Sequence, residues 1–232
     1  MPPSSKQARI AGLLFLLLVL VAPVRLLYIP DTLIVGSDPA ATARNILASE
    51  TLFRMGILAD MACGMLMIFI TLALRRLLRG VNEELAGMLV VLGGVLPAAL
   101  YFFNIANDAA ALMLVHAPPY LDAFTQAQRE GLALFFLRLH TQVMFASEAF
   151  WGVWLLPLAI LVYRSGFLPR LLGAWLFVNG LAYLVQSVVA FLVPAWIAPL
   201  SDICSPIQFG EIAFTLWLLV MGVKPRHARE PM

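Results

Sequence analysis

The stretch that decides the fold is Leu52–Leu74, LFRMGILADMACGMLMIFITLAL, followed by Arg75-Arg76-Leu77-Leu78-Arg79. Only Arg54 and Asp60 interrupt its apolar run with charge. A helix needs roughly 20 mainly apolar residues to cross the hydrocarbon core of a bilayer. Basic residues clustered just beyond such a run mark the cytoplasmic side. The segment therefore reads as a transmembrane helix that carries one acid at membrane depth.

Working outward, five more stretches have the same character: residues 8–28, 85–115, 131–163, 171–193 and 207–223. Together with 52–74 they predict an all-α fold, a polytopic transmembrane helical bundle of six spans, with residues 1–232 forming a single integral membrane domain. Composition agrees. The chain is 62% hydrophobic and 12% charged, with a mean hydropathy of +0.92. Soluble domains run near about 45–50% apolar and about 25% charged. So much apolar surface requires lipid as solvent, and the bilayer is the expected partner. A formal net charge of +2 without a clustered basic patch argues against a nucleic-acid partner.

Orientation follows from Lys and Arg placement. With the N-terminus inside, ten of these residues fall in inner segments: Lys6, Arg9, Arg75, Arg76, Arg79, Arg164, Arg170, Lys224, Arg226 and Arg229. Two, Arg44 and Arg129, fall in outer loops. The expected location is the cell inner membrane, with both termini cytoplasmic. The first span lacks an A-x-A-like site after its apolar run, so it is expected to be retained rather than cleaved as a signal peptide.

The connections carry start and stop chemistry. Asp38-Pro39 predicts a cap and first helical residue of a short outer helix over Pro39–Ala48. Thr125 with Gln128, and Ser205-Pro206 with Gln208, read as capping boxes before spans four and six. Gly166 followed by Pro169 closes span four. Pro97 and Pro157 are expected to kink the third and fourth spans. Cys63 lies in a span and Cys204 in a predicted loop, so no disulfide between them is expected.

Two longer stretches carry a resemblance. One is Ala40-Ala41-Thr42-Ala43-Arg44-Asn45-Ile46-Leu47-Ala48-Ser49-Glu50 with Leu52-Phe53-Arg54. The other runs Glu148-Ala149-Phe150-Trp151-Gly152-Val153-Trp154-Leu155-Leu156-Pro157, then Tyr163 through Gly173. Both resemble a large bacterial multipass membrane family catalogued as a domain of unknown function. The resemblance covers nearly the whole chain. It implies a multipass helical fold and no particular reaction. Where members carry an acid this chain has Gln186, so no carboxylate role is implied at that position.

Charge inside a bilayer costs about 2.5–3.5 kcal/mol per residue on insertion scales, so such groups face protein or water. At about 100° per residue, Arg138, Thr141, Gln142, Phe145 and Glu148 share a stripe of span four, with His140 off that stripe near the Glu148 edge. Asn104, Asn107 and Asp108 share a face of span three. Gln208, Glu211 and Thr215 share one of span six. Gly56, Asp60 and Gly64 recur every four residues of span two, which predicts a closely packed neighbouring helix.

On the predicted topology these groups fall in the outer half of the membrane. The expected polar cluster therefore comprises Arg54, Asp60, Asn104, Asn107, Asp108, Arg138, His140, Gln142, Glu148 and Glu211. Arg138 is its expected organising charge, with Asp108 or Asp60 as partner on another helix. Arg25, at the end of span one, reads as a snorkelling interface residue.

No P-loop, GxGxxG, HExxH or GxSxG motif occurs, and no catalytic residue or cofactor is assigned. His116, His140 and His227 fall in an outer loop, a span and the inner tail, which excludes a three-histidine metal site. No metal site is assigned, although the carboxylates Asp60, Asp108 and Glu148 leave that alternative open. The leading reading is a non-catalytic membrane protein that binds or moves a small polar ligand through the cluster. A structural or accessory subunit is one alternative. An intramembrane enzyme using Glu148 or Asp108 with His140 as acid and base is the other.

Overall fold

The computed structural model describes residues 4–223. The inner-tail residues Lys224, Arg226, His227 and Arg229, on which part of the orientation rests, lie outside the described residues. No strand occurs among the described residues, and six helices are long and apolar enough to cross a membrane. They are α1 (Ser5–Leu33), α3 (Glu50–Leu78), α4 (Glu83–His116), α5 (Gln126–Arg164), α6 (Arg170–Leu192) and α7 (Ile197–Val220). A short helix, α2 (Pro39–Ala48), joins α1 to α3. The chain is a multipass membrane protein.

Local chemistry accounts for the boundaries. The Asp38 carboxylate accepts a hydrogen bond from the Ala41 amide (2.8 Å) and caps α2 behind Pro39. Thr125 and Gln128 exchange reciprocal side-chain to backbone bonds at the start of α5. Asn82 caps α4 by accepting from the Leu85 amide at 2.9 Å. After α5, Gly166 adopts φ +72°, the left-handed conformation that glycine takes without steric cost. The buried Ser165 hydroxyl accepts from the Leu168 amide and closes the turn.

Two spans differ from expectation. Helix α1 does not stop at Tyr28 but continues through Pro30 to Leu33. A π-helical turn over Val24–Tyr28 precedes that proline. Proline lacks the amide that would bond the carbonyl four residues back, and its ring crowds that carbonyl; a wider turn relieves both. Helix α4 repeats the device, with a π turn over Val90–Val95 just before Pro97. Helix α7 begins at Ile197, so Ser205-Pro206 lies inside it rather than capping it. Ser205 Oγ instead donates to the Ser201 carbonyl (2.7 Å). In lipid, one lost amide costs less than a broken helix whose freed groups find no water. Cys204 is consequently a buried helical residue, not a loop residue.

Contacts divide the chain into two compact units. One comprises the chain up to Leu17, Leu66–Pro97 and Phe145 onward. Its centre is Trp154, on which Phe15 stacks at 6.2 Å, while Phe214 meets Phe15 edge-on at 6.4 Å. Helices α5 and α6 approach closely at Gly152 and Gly180, where an added Cβ would meet the facing glycine's carbonyl at 2.6 and 2.9 Å. The second unit comprises Leu18–Met65 and Ala98–Met144. Its apolar core includes Ile29, Leu33, Ile46, Phe53, Leu112 and Leu137. The four-residue repeat in α3 does the work expected of it there. Gly56 admits Ile29 and the Arg25 stem of α1, and Gly64 admits Tyr101 and Phe102 of α4.

Candidate functional site

The second unit holds a buried charged cluster built from four helices. Arg25 comes from the π turn of α1, Asp60 from the glycine-flanked face of α3, Asp108 from α4 and His140 from α5. Relative exposure is 3% for Arg25, 1% for Asp60, 0% for Asp108 and 2% for His140. Arg25 grips Asp108 with a two-pronged contact, Nε to Oδ2 at 2.9 Å and Nη2 to Oδ1 at 2.6 Å. Arg25 Nε lies 4.0 Å from Asp60 Oδ2. The His140 ring sits between the carboxylates, with Nδ1 3.4 Å from Asp108 Oδ1 and Nε2 3.7 Å from Asp60 Oδ2.

The polar groups around the ring are only partly satisfied. Asn104 Nδ2 donates to the His140 carbonyl (3.2 Å), and Asn107 Nδ2 donates to Asn104 Oδ1 (2.8 Å). That chain fixes the α5 backbone at His140. Asp60 Oδ2 and both ring nitrogens of His140 complete no hydrogen bond. Buried polar atoms normally find a partner, so three such atoms in one buried cluster mark it as the candidate site.

Of the residues expected to form the cluster, the structure draws together Asp60, Asn104, Asn107, Asp108 and His140. It does not bring Arg138 to them. The Arg138 side chain is exposed, donates to the Gly36 carbonyl (3.0 Å) and makes no ion pair among the described residues. It fastens α5 to the loop between α1 and α2. The organising cation is Arg25, and its reading as a snorkelling residue is corrected. Because α1 runs eight residues past Arg25 to Leu33, the guanidinium starts about 12 Å short of the helix end, too deep to escape. Gln142 and Thr141 are exposed and His140 is buried, so the inward stripe of α5 is the one carrying His140. Arg54 is a surface residue that pairs with Glu50 one turn away at 2.6 Å.

Glu148 and Glu211 belong to the first unit. Glu148 Oε2 is buried and completes no hydrogen bond. Glu211 Oε1 accepts from Asn179 Nδ2 at 3.3 Å, within a polar seam between α6 and α7. Gln208 donates to Gln186 there, and Gln186 donates to Ser201 Oγ at 3.2 Å. Sequence reading missed Arg25, Asn179 and Ser201. The three- and four-residue spacing of Asn179, Tyr183 and Gln186 was the available signal for the seam. For Arg25 it was the apolar run Leu26–Ile29 beyond the charge.

Among the described residues, the group of His, Cys, Asp and Glu able to hold a metal is Asp60, Asp108 and His140, with one ligand atom from each lying within 4.8 Å of the others. Glu148, the third carboxylate of the alternative left open by the sequence, is not part of it.

A family model described as "Domain of unknown function (DUF4386)" matches residues 10–222. An uncharacterized protein of Archaeoglobus fulgidus is 28% identical over 141 residues, which is 59% of this chain and 81% of that protein. No solved structure matches.

Proposed function

The chain belongs to the DUF4386 family, and we propose that it is a non-catalytic inner-membrane protein that binds or moves a small, singly charged cation at the cluster of Arg25, Asp60, Asp108 and His140. One observation carries this reading. Two buried carboxylates face one guanidinium and a ring that is uncharged unless protonated, and Asp60 Oδ2 is left without a donor. With a neutral ring the cluster is one positive charge short. An uncompensated charge in a low-dielectric interior is costly, and a single positive charge restores balance. The size of the site supports a bare ion or a proton over an organic solute, since its ligand atoms crowd within 4.8 Å.

The excess of Lys and Arg in inner segments supports cytoplasmic termini, which puts the cluster in the outer half of the membrane. The Arg25–Asp108 fork by itself favours a structural reading, because it fixes α1 against α4. Asp60 and His140 exceed what that purpose needs. Asp108 beside His140 is an acid–base pair in type, but both are sealed from any substrate bond.

The test is the melting temperature of purified protein across Na⁺, K⁺, Mg²⁺, Mn²⁺ and Zn²⁺ and across pH. One species should raise it, and Asp60→Asn should remove that response while retaining the fold. A melting temperature indifferent to every ion and to pH, or an unchanged response in Asp60→Asn, overturns the reading.

A further inference from the structure

We infer that a groove between α5 and α6 seats one anionic phospholipid, with its phosphate at Arg164 and Arg170 and an acyl chain running along the groove toward Val178. The inference stands apart from the charged cluster, which belongs to the second unit, while this groove lies wholly in the first.

The sequence shapes the groove. Gly173 lets α5 and α6 touch, since a Cβ there would meet the Tyr163 amide nitrogen at 2.7 Å and the Ala159 carbonyl oxygen at 2.9 Å. Gly173 and Ala159 are buried and form the floor. Tyr163, Phe177 and Val178, each about half exposed, stand around it as walls. Ala174 on the same face carries only a methyl group and leaves the space between them open. The groove holds about 470 Å³, within the range of roughly 300–1,000 Å³ typical of small-ligand sites. Its lining is apolar apart from Tyr163 and Arg164, at the end where α5 stops.

The charge at that end has no protein partner. Residues 149–201 contain two basic residues, Arg164 and Arg170, and no Asp or Glu. Among the described residues neither guanidinium enters an ion pair. Arg170 instead lies over the Tyr163 ring, 5.6 Å from its centroid. That contact holds the guanidinium by its face against a wall of the groove, and its N–H edge stays free for an acceptor. A phosphodiester fits, because its oxygens meet a planar guanidinium in pairs. A zwitterionic headgroup would bring an ammonium to two guanidiniums, with no carboxylate of the hairpin to receive it. The excess of Lys and Arg in inner segments supports a cytoplasmic position for this turn, where anionic lipids are enriched and basic pockets between helices hold their headgroups. Arginines that only snorkelled to the interface would need neither the groove nor the stacking on Tyr163.

The experiment is native mass spectrometry of the full chain, released from detergent after incubation with equal amounts of phosphatidylglycerol and phosphatidylethanolamine. The wild type should keep one phosphatidylglycerol, favoured by roughly tenfold or more over phosphatidylethanolamine. Arg164→Gln combined with Arg170→Gln should bring the two lipids close to parity. Ala174→Phe, which fills the groove and leaves both charges in place, should lower retention of either lipid. Excess glycerol phosphate should displace neither, because the acyl chain anchors the ligand. Equal retention of both lipids by the wild type overturns the inference, and that measurement needs no variant to fold. An unchanged preference in the double arginine variant, or undiminished retention in Ala174→Phe, overturns it too. Displacement by glycerol phosphate would assign the arginines to a soluble phosphate instead. A dimer that carries no lipid would give the groove to a second copy of the chain, and either result overturns the lipid.

Discussion

Arg25 and Asp108, 83 residues apart, form the shortest ion pair of the buried cluster, with Nη2 2.6 Å from Oδ1 and Nε 2.9 Å from Oδ2. Both side chains are almost wholly withdrawn from solvent. Removing one partner strands the other, which costs about 3–5 kcal/mol for a buried pair. Arg25→Met and Asp108→Asn should each lower detergent-solubilised stability by that order. The double variant should lose clearly less than the sum. Arg25→Lys should not rescue, since an ammonium cannot reproduce the planar fork. Strictly additive losses would show that the pair is uncoupled.

Arg138 should behave differently. It is exposed and gives up one hydrogen bond to the Gly36 carbonyl, so Arg138→Met should cost less than about 1.5 kcal/mol. Its effect should add to that of Asp108→Asn within about 0.5 kcal/mol. A melting-temperature cycle checks both, and strong coupling would restore Arg138 as the organising charge.

The turn after α5 depends on Gly166 at φ +72°. A β-branched side chain is strained there, so Gly166→Val should destabilise by about 1–3 kcal/mol. Gly166→Asn should lose less, because asparagine tolerates the left-handed region. Equal stability of all three proteins would remove the requirement for positive φ.

Ala117, just beyond α4, has φ +50°. A non-glycine residue gives up about 1 kcal/mol in this region. Ala117→Gly should therefore raise the melting temperature by roughly 2–4 °C, the shift expected for a chain of this size. A lower melting temperature would mean that the alanine methyl contributes packing that outweighs its strain.

Orientation is checked with a reporter that is active only in the cytoplasm, fused after Met232. It should be active, because the Lys and Arg of the inner segments oppose translocation. An active periplasmic reporter at the same point would invert the topology.

Much of the fold was legible in the sequence because it depends on interactions within short stretches. Apolar run length fixes which segments cross lipid, and the Asp38 and Thr125 caps and the Gly166 turn follow from side-chain and backbone chemistry within a few residues. Even the close packing at Gly56 and Gly64 could be read, since a four-residue repeat of small residues marks one face of one helix.

The sequence by itself therefore determined the six membrane helices, the caps at Asp38 and Thr125, and Asp60, Asn104, Asn107, Asp108 and His140 as residues of buried polarity. Only the tertiary structure decided which of them meet. Periodicity tells which residues share a face, but not which face of a neighbour lies opposite. On α5 the charged stripe with Arg138 looked inward, yet the structure turns His140 in and Arg138 out to the Gly36 carbonyl. On α1 the helix passes through Pro30 by means of a π turn, and that carries Arg25 from the apparent membrane edge to a sealed position against Asp108. Helix pairing is settled by the whole set of packed surfaces and by the need to match buried charge, and neither is a property of any one segment.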